Sequence, residues 1–193
     1  MNDPYVDPDS GVLLNRAGIT DPERLRVVEA AISVQALYAL HDELLPGSYD
    51  LDHLCAFHDR IFGRLYPWAG QIRTVAIAKT DLFCLPQHIA PYAQDVFLHL
   101  ALEKHLRGLP RQSFVDRLTH YLAEVNAIHP FREGNGRTQR AFFGQLSREA
   151  GWSVDWSDLD PEENVQASVA ALRGDNEPLR AMLDRLTSND PTS

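Results

Sequence analysis

Basic charge, cysteine and long apolar stretches are all in short supply in this chain. Among 193 residues, 18 Lys and Arg face 27 Asp and Glu, a net charge of −9 with His neutral. That balance argues against a general electrostatic grip on nucleic-acid phosphates, which needs a basic face, while leaving room for one local basic pocket. The only cysteines, Cys55 and Cys84, form no C-x-x-C pair and are too few for a zinc cluster or a disulfide framework. Both are expected as reduced, buried thiols in a cytoplasmic protein. No apolar run approaches the roughly 18 residues of a transmembrane helix. The opening Met1-Asn2-Asp3-Pro4 is acidic and broken by proline, unlike a Sec-type signal peptide. A cytoplasmic location is the expectation, although delivery into another cell by a secretion system would leave no Sec signal.

Repeats and low-complexity tracts are also missing. What is present is a 44% hydrophobic chain of a length suited to one domain, 1–193. Residues 1–19 read as an ordered but irregular arm. Thr20 is expected to open the first helix as its cap, with Pro22 and Glu23 completing the signal. Leu25, Val28, Ile32, Ala36 and Leu40 give it one apolar face, and Pro46-Gly47 is expected to end it. A second helix begins near Asp50, with Leu51, Leu54, Phe57 and Ile61 turned inward. The texture then changes over 71–86: Ile72, Val75 and Ile77, a polar Lys79-Thr80-Asp81 turn, then Leu82 and Phe83 predict a β-hairpin. Helical patterns resume over 88–107 and 113–127, and again from just after Asn135 to a C-terminal glycine, Gly151. Trp152–Trp156 is short and extended. Asp160-Pro161-Glu162 opens another helix, a last one runs from Pro178 to Leu186, and 188–193 is a polar tail. The fold class is mainly α with one β-hairpin.

The stretch from Asn126 to Arg140 differs from its surroundings. Gly134, Asn135 and Gly136 stand between two helical patterns, where glycine lets a backbone approach a ligand and asparagine tolerates left-handed geometry. Such a loop feeding a helix N-terminus points successive N–H groups at one spot and makes an anion nest. Arg137 and Arg140 follow on neighbouring positions of one helix face. Cations in a first helical turn oppose the macrodipole, so as helix design the choice is poor. As a phosphate clamp it makes sense, because guanidinium forks suit phosphate oxygens. Glu133 beside the nest would repel phosphate unless a divalent cation lay between, and Mg²⁺ with one carboxylate and nucleotide phosphates is an ordinary arrangement. His129, biased by Pro130 toward an extended conformation, stands where a general base would meet an incoming hydroxyl.

From His129 to Arg140 these residues fill every fixed position of H-P-F-x-[D/E]-G-N-G-R-x-x-R, and the chain thereby resembles the Fic family. Tyr66-Pro67-Trp68-Ala69-Gly70-Gln71-Ile72-Arg73 and the hairpin with Lys79 and Phe83 are similar to the family's flap region. The arm, from Tyr5-Val6-Asp7-Pro8 to Gly18-Ile19, resembles that of the short bacterial Fic toxins. The resemblance implies a compact Fic-type helical fold and a protein adenylyltransferase, moving AMP from ATP to a hydroxyl side chain of a target protein. It implies His129 as base, Glu133 as Mg²⁺ ligand, and Gly134, Asn135 and Gly136 as an anion hole for the α- and β-phosphates. Arg137 would hold the phosphates and Arg140 the γ-phosphate end, with Lys79 and Thr80 of the flap also at the nucleotide. The flap around Ala76–Thr80 would take a target segment by β-strand addition. Some short bacterial relatives modify the ATPase subunits of type II topoisomerases, and the same kind of target is the expectation here.

Two family variants bear on these expectations. Relatives that transfer the terminal phosphate carry lysine at the second motif glycine, whereas this chain has Gly136. Many members restrain themselves with [S/T]-x-x-x-E-[G/N], yet no Ser or Thr here has Glu four residues on. A separate small antitoxin packed on the arm and first helix is therefore the expected control. The rival readings are a catalytically weak Fic-fold binding module, or another nucleotide or phosphate transfer. His58-Asp59 hints at an HD-type hydrolase, but no partner cluster supports it. His99 and His105 read as ordinary helix residues, and Trp152 and Trp156 as packing or, alternatively, as neighbours of the adenine.

Overall fold

The computed structural model describes residues 3–78 and 81–189, the Asn189 side chain excepted. Seven α-helices occur among the described residues: α1 Pro22–Asp42, α2 Leu51–Phe62, α3 Pro86–Leu102, α4 Arg111–Ile128, α5 Asn135–Glu149, α6 Pro161–Leu172 and α7 Glu177–Leu186. None is long and apolar enough to cross a membrane. The mainly α-helical fold expected from the sequence is the fold observed.

Helix starts follow local chemistry. Asp50 and Asp160 accept from the third following N–H, His53 and Glu163, at 2.8 Å each, as their positions predict. In α1 the cap is Asp21 rather than Thr20. Pro22 pushes the preceding residue into extended backbone, φ −94° and ψ 122°, so Asp21 takes the capping geometry and receives Arg24 N–H at 2.7 Å. The helix stops at Asp42, short of Pro46-Gly47. The buried Gln145 amide claims both backbone groups of Leu45, at 2.8 and 2.9 Å, and draws the chain out of the helix. His105 is not an ordinary helix residue: after α3 it sits at φ 54° in a left-handed turn against Tyr49.

α5 is the central rod, packed on α1, α2, α4 and the strand β1, Trp152–Val154. Phe142, Phe143 and Leu146 bury its inner face completely, and Phe57, Phe97 and Tyr49 meet Phe142 edge-on. The beginning of the expected polar tail is instead a strand, β2 Thr187–Asn189, which pairs antiparallel with β1. Buried Thr187 donates to Leu183 O, and Arg111 binds the carbonyls of Asp184 and Thr187, so the segment has partners that its polar composition does not reveal.

The hairpin of 71–86 is present in outline. It is closed by one antiparallel bridge, Ala78 to Leu82, and by Phe83 N–H donating to Ile77 O at 3.3 Å. Among the described residues no longer ladder forms, because the Arg73 guanidinium takes the carbonyls of Val75 and Cys84, on opposite arms of the loop. The arm 3–19 is irregular, as expected, and folds back on itself through a Val6–Leu13 bridge, with Tyr5 and Val12 buried. Both cysteines are free and half-buried.

Candidate active site

The connection from α4 to α5 is short and is tied to several neighbouring segments. His129 caps α4 in the left-handed region, φ 47° and ψ 62°, not in the extended backbone that Pro130 favours. Its N–H continues the helix to Val125 O at 3.0 Å, and its carbonyl receives Arg73 Nε at 2.8 Å, which together outweigh the pre-proline preference. Nδ1 lies 3.3 Å from Asn126 O. A carbonyl can only accept, so Nδ1 carries the proton of the neutral ring and Nε2 is the basic nitrogen. Phe83 of the flap stacks on the imidazole with centroids 3.8 Å apart.

Asn135 is not the left-handed residue of this loop. It is already helical and buried, and its side chain closes the turn by accepting Phe131 N–H at 2.9 Å and donating to Phe131 O at 2.7 Å. The left-handed position is Gly134, at φ 81°, where a Cβ would stand 2.3 Å from the Phe62 ring. The Glu133 carbonyl is fixed by His58, a residue whose part the sequence conceals. Gly70 N–H donates to His58 Nδ1 at 2.8 Å, so Nε2 carries the proton and donates to Glu133 O at 2.9 Å. The ring is fully buried and stacks on Phe131 at 3.9 Å. Burial, assisted by the charge of Arg137, pushes its pKa down to about 4.

The result is an open helix end. Unlike α1, α2 and α6, α5 has no side-chain cap, because its N-cap is glycine. The N–H groups of Asn135, Gly136 and Arg137 thus start the helix without intrahelical partners, at the positive pole of its dipole. Two arginines stand beside them. Arg137 is tied down by Glu29 of α1, by Ser33 Oγ at 3.2 Å, and over the Phe62 ring at 4.7 Å. Arg140 pairs with no acidic side chain among the described residues, and burial followed by the charge of Arg137 lowers its pKa. Glu133 turns a half-exposed carboxylate to the same place, with one oxygen accepting Gly134 N–H at 2.8 Å and lying 3.5 Å from Arg137.

Two cavities meet at His129, Phe83 and Gly136. The polar one, about 350 Å³, lies between the flap at Ala76–Ala78 and Glu133–Asn135. The other, about 130 Å³ and mostly apolar, reaches from Arg140 to α6, where Asn164, Val165 and Ser168 form its wall. Trp156 lines this second cavity, whereas Trp152 stacks on Phe114 in the core. Predicted residues His129, Glu133, Gly134, Asn135, Gly136, Arg137 and Arg140 therefore gather at one place. Lys79 and Thr80 lie outside the described residues. Among the described residues no three His, Cys, Asp or Glu side chains gather to hold a metal, so a cation here would take Glu133 and complete its shell from a ligand. The His58-Asp59 pair forms no such centre. The supporting parts of His58, Glu29 and Arg73 were missed by sequence reasoning, although His58 had been weighed for a metal site and Arg73 and Gly70 stood in the stretch resembling the flap region.

Comparison with known proteins identifies the family of the chain. The pattern of the Fic/DOC family matches residues 48–147. The chain is 42% identical over 185 residues to "Protein adenylyltransferase VbhT" of Bartonella schoenbuchensis, covering 95% of this chain but 39% of that protein's length. It is 39% identical over 187 residues to "Probable protein adenylyltransferase Fic" of Salmonella typhimurium, covering 96% of this chain and 92% of that one. Among solved structures, the N-terminal Fic domain of a VirB-translocated Bep effector from Bartonella quintana, with bound ADP, superposes with a TM-score of 0.90 at 26% identity, covering 97% of this chain and 96% of that one.

His58 gives the loop a measurable acid sensitivity. Its proton affinity is depressed on folding, so its stabilising contribution is complete above the unfolded-state pKa of about 6.5 and is lost as pH falls toward about 4. A shift of that size corresponds to roughly 3 kcal/mol. Denaturant melts of the wild type should lose stability across this window more steeply than those of His58→Gln, whose amide can reach Glu133 O without titrating. Parallel pH dependences for the two proteins would contradict the assignment.

Proposed function

This chain belongs to the Fic/DOC family, and we propose that it acts as an ATP-dependent protein adenylyltransferase with His129 as its base. The observation that carries the reading is the open N-terminus of α5, whose first three N–H groups have no intrahelical partner, with half-buried Arg140, unpaired among the described residues, near the basic nitrogen of His129. A desolvated cation next to a positive helix pole asks for a polyanion. The curated relatives named as protein adenylyltransferases, and the solved relative with bound ADP, support a nucleotide as that anion.

The triphosphate lies across the start of α5. The N–H groups of Asn135, Gly136 and Arg137 receive the α- and β-phosphate oxygens, Arg137 steadies them, and Arg140 takes the γ-phosphate. The nucleoside enters the apolar cavity toward α6. His129 Nε2 accepts the proton of a target hydroxyl as that oxygen attacks the α-phosphorus. The new O–P bond forms while the bond to the β-phosphate oxygen breaks, and pyrophosphate leaves with its charge held by the arginines and the helix end. Nδ1–H donating to Asn126 O keeps the ring in the tautomer this step needs. Glu133 suits Mg²⁺, because its second carboxylate oxygen forms no hydrogen bond among the described residues and the ion prefers hard oxygen ligands. When bound there, Mg²⁺ would neutralise phosphate charge. The flap at Ala76–Ala78 faces the same polar cavity and offers backbone groups to an extended target segment.

Control comes from outside the described chain. No Ser or Thr is followed by the restraining glutamate, and no acidic side chain among the described residues reaches Arg140. The outward face of α1 is apolar, with Val27, Val34 and Tyr38 exposed at 59, 50 and 72%. α1 also runs beside α5, where Glu29 meets Arg137 and Leu40 O meets Arg148. A small antitoxin helix packed on this face would bring a carboxylate to the arginines. The chain is thus the toxin of a pair.

Incubating the chain with α-labelled ATP, Mg²⁺ and host lysate should label a protein, and His129→Ala should cut that labelling by about 10²–10⁴-fold. Equal labelling by both proteins would leave a binding module as the better reading. Expression of the chain alone should arrest growth, and expression with its native operon should yield a small co-purifying protein that Val34→Asp and Tyr38→Asp release. A harmless lone chain without such a companion contradicts the toxin assignment.

A further inference from the structure

Arg73 is 1% exposed, yet no carboxylate among the described residues pairs with it. Its guanidinium is spent on backbone carbonyls alone. Nε donates to His129 O at 2.8 Å, Nη1 to Val75 O at 2.7 Å, and Nη2 to Cys84 O at 2.5 Å and Ile128 O at 3.3 Å. These acceptors belong to three segments: the ascending arm of the flap, its descending arm, and the last turn of α4. The negative pole of α4 supplies the counter-charge that a carboxylate would otherwise bring. Two backbone bonds run parallel to the clamp, Arg73 N–H to Pro130 O at 2.9 Å and Cys84 N–H to Ala127 O at 3.0 Å. Phe83, next to Cys84, covers the His129 ring.

We infer that Arg73 is a positioning residue that sets the flap and His129 in one register. The inference rests on the reading of His129 as base and of the flap arms at 75–78 and 81–84 as the target-docking surface. A segment lying along the flap would reach the imidazole at a distance fixed by one rigid planar group, because the fork that holds both flap arms also holds the carbonyl of the base itself. It also accounts for the left-handed backbone of His129 and for the sparse pairing of the hairpin, whose arms spend carbonyls on Arg73 instead of on each other. The fork makes no bond to Asn135, Gly136 or Arg137, which begin the helix at the proposed nucleotide cradle.

The test is Arg73→Lys, which keeps the charge but replaces the planar fork by a point donor. On the protein that the wild-type chain labels, transfer per ATP-binding chain should fall at least about tenfold, with a raised KM for the target and a lowered kcat. The Kd for ATP should stay within about twofold, and the Cys84 amide should exchange hydrogen faster. Transfer within about twofold of wild type, or a loss that tracks ATP affinity, would overturn the inference. If the wild-type chain labels nothing, the adenylyltransferase reading fails, and the exchange measurement then judges the coupling alone. If Arg73→Lys does not fold, exchange in the wild-type chain decides. Amides 73 and 84 opening together with the last turn of α4 support the clamp, whereas residue 84 exchanging as a free loop beside a protected α4 contradicts it.

Discussion

The structure depends on a helix end deliberately left without a cap. Asn135 and Gly136, at the start of α5, line the polar cavity, and the groups near them keep that end open. Asn135, which elsewhere could cap a helix, has its side chain occupied with Phe131. Gly134 has no side chain to offer, and the Phe62 ring occupies the space where one would stand. His58 pins the Glu133 carbonyl so that the loop does not fold over its own helix. The cost is a stack of like partial charges, with Arg137 and Arg140 in the first turns. Glu29 relieves it for Arg137, while Arg140 remains unpaired among the described residues.

This arrangement would let an acidic protein accept the acidic ligand proposed for it. Between Arg132 and Arg148 four arginines face one glutamate, the reverse of the chain's overall balance. Asp3 of the arm neutralises Arg132, and Glu29 of α1 holds Arg137, so the positive charge narrows toward Arg140 and the helix end. Catalysis by such a site is a matter of placement. In the proposed reaction the helix end would gather phosphates and the flap a peptide segment, with His129 between them, its ring stacked on Phe83 and its backbone carbonyl held by Arg73.

The candidate site was legible in the sequence as a place, because spacing puts Gly134–Arg137 and Arg140 at the beginning of one helix. The groups that hold the site in shape were not. His58 lies 75 residues from the carbonyl it fixes, and Glu29 lies 108 from its arginine. Neither distance leaves a trace in local periodicity. Asn135 was read as a loop residue because its type tolerates left-handed backbone, yet a side chain that bonds its own turn does more for the loop from inside the helix. The hairpin was legible as a place but not as a ladder, since the carbonyls that would have formed the ladder go to Arg73. The strand β2 was hidden by polar composition, its partner β1 being more than thirty residues upstream.

A crystal structure of the chain with a non-hydrolysable ATP analogue and Mg²⁺ tests the central claim most directly. The account predicts α- and β-phosphate oxygens within hydrogen-bond distance of the N–H groups of Asn135, Gly136 and Arg137, the γ-phosphate on Arg140, and His129 Nε2 facing the α-phosphorus. Phosphates bound away from the start of α5, or an α-phosphate turned from His129, would contradict it.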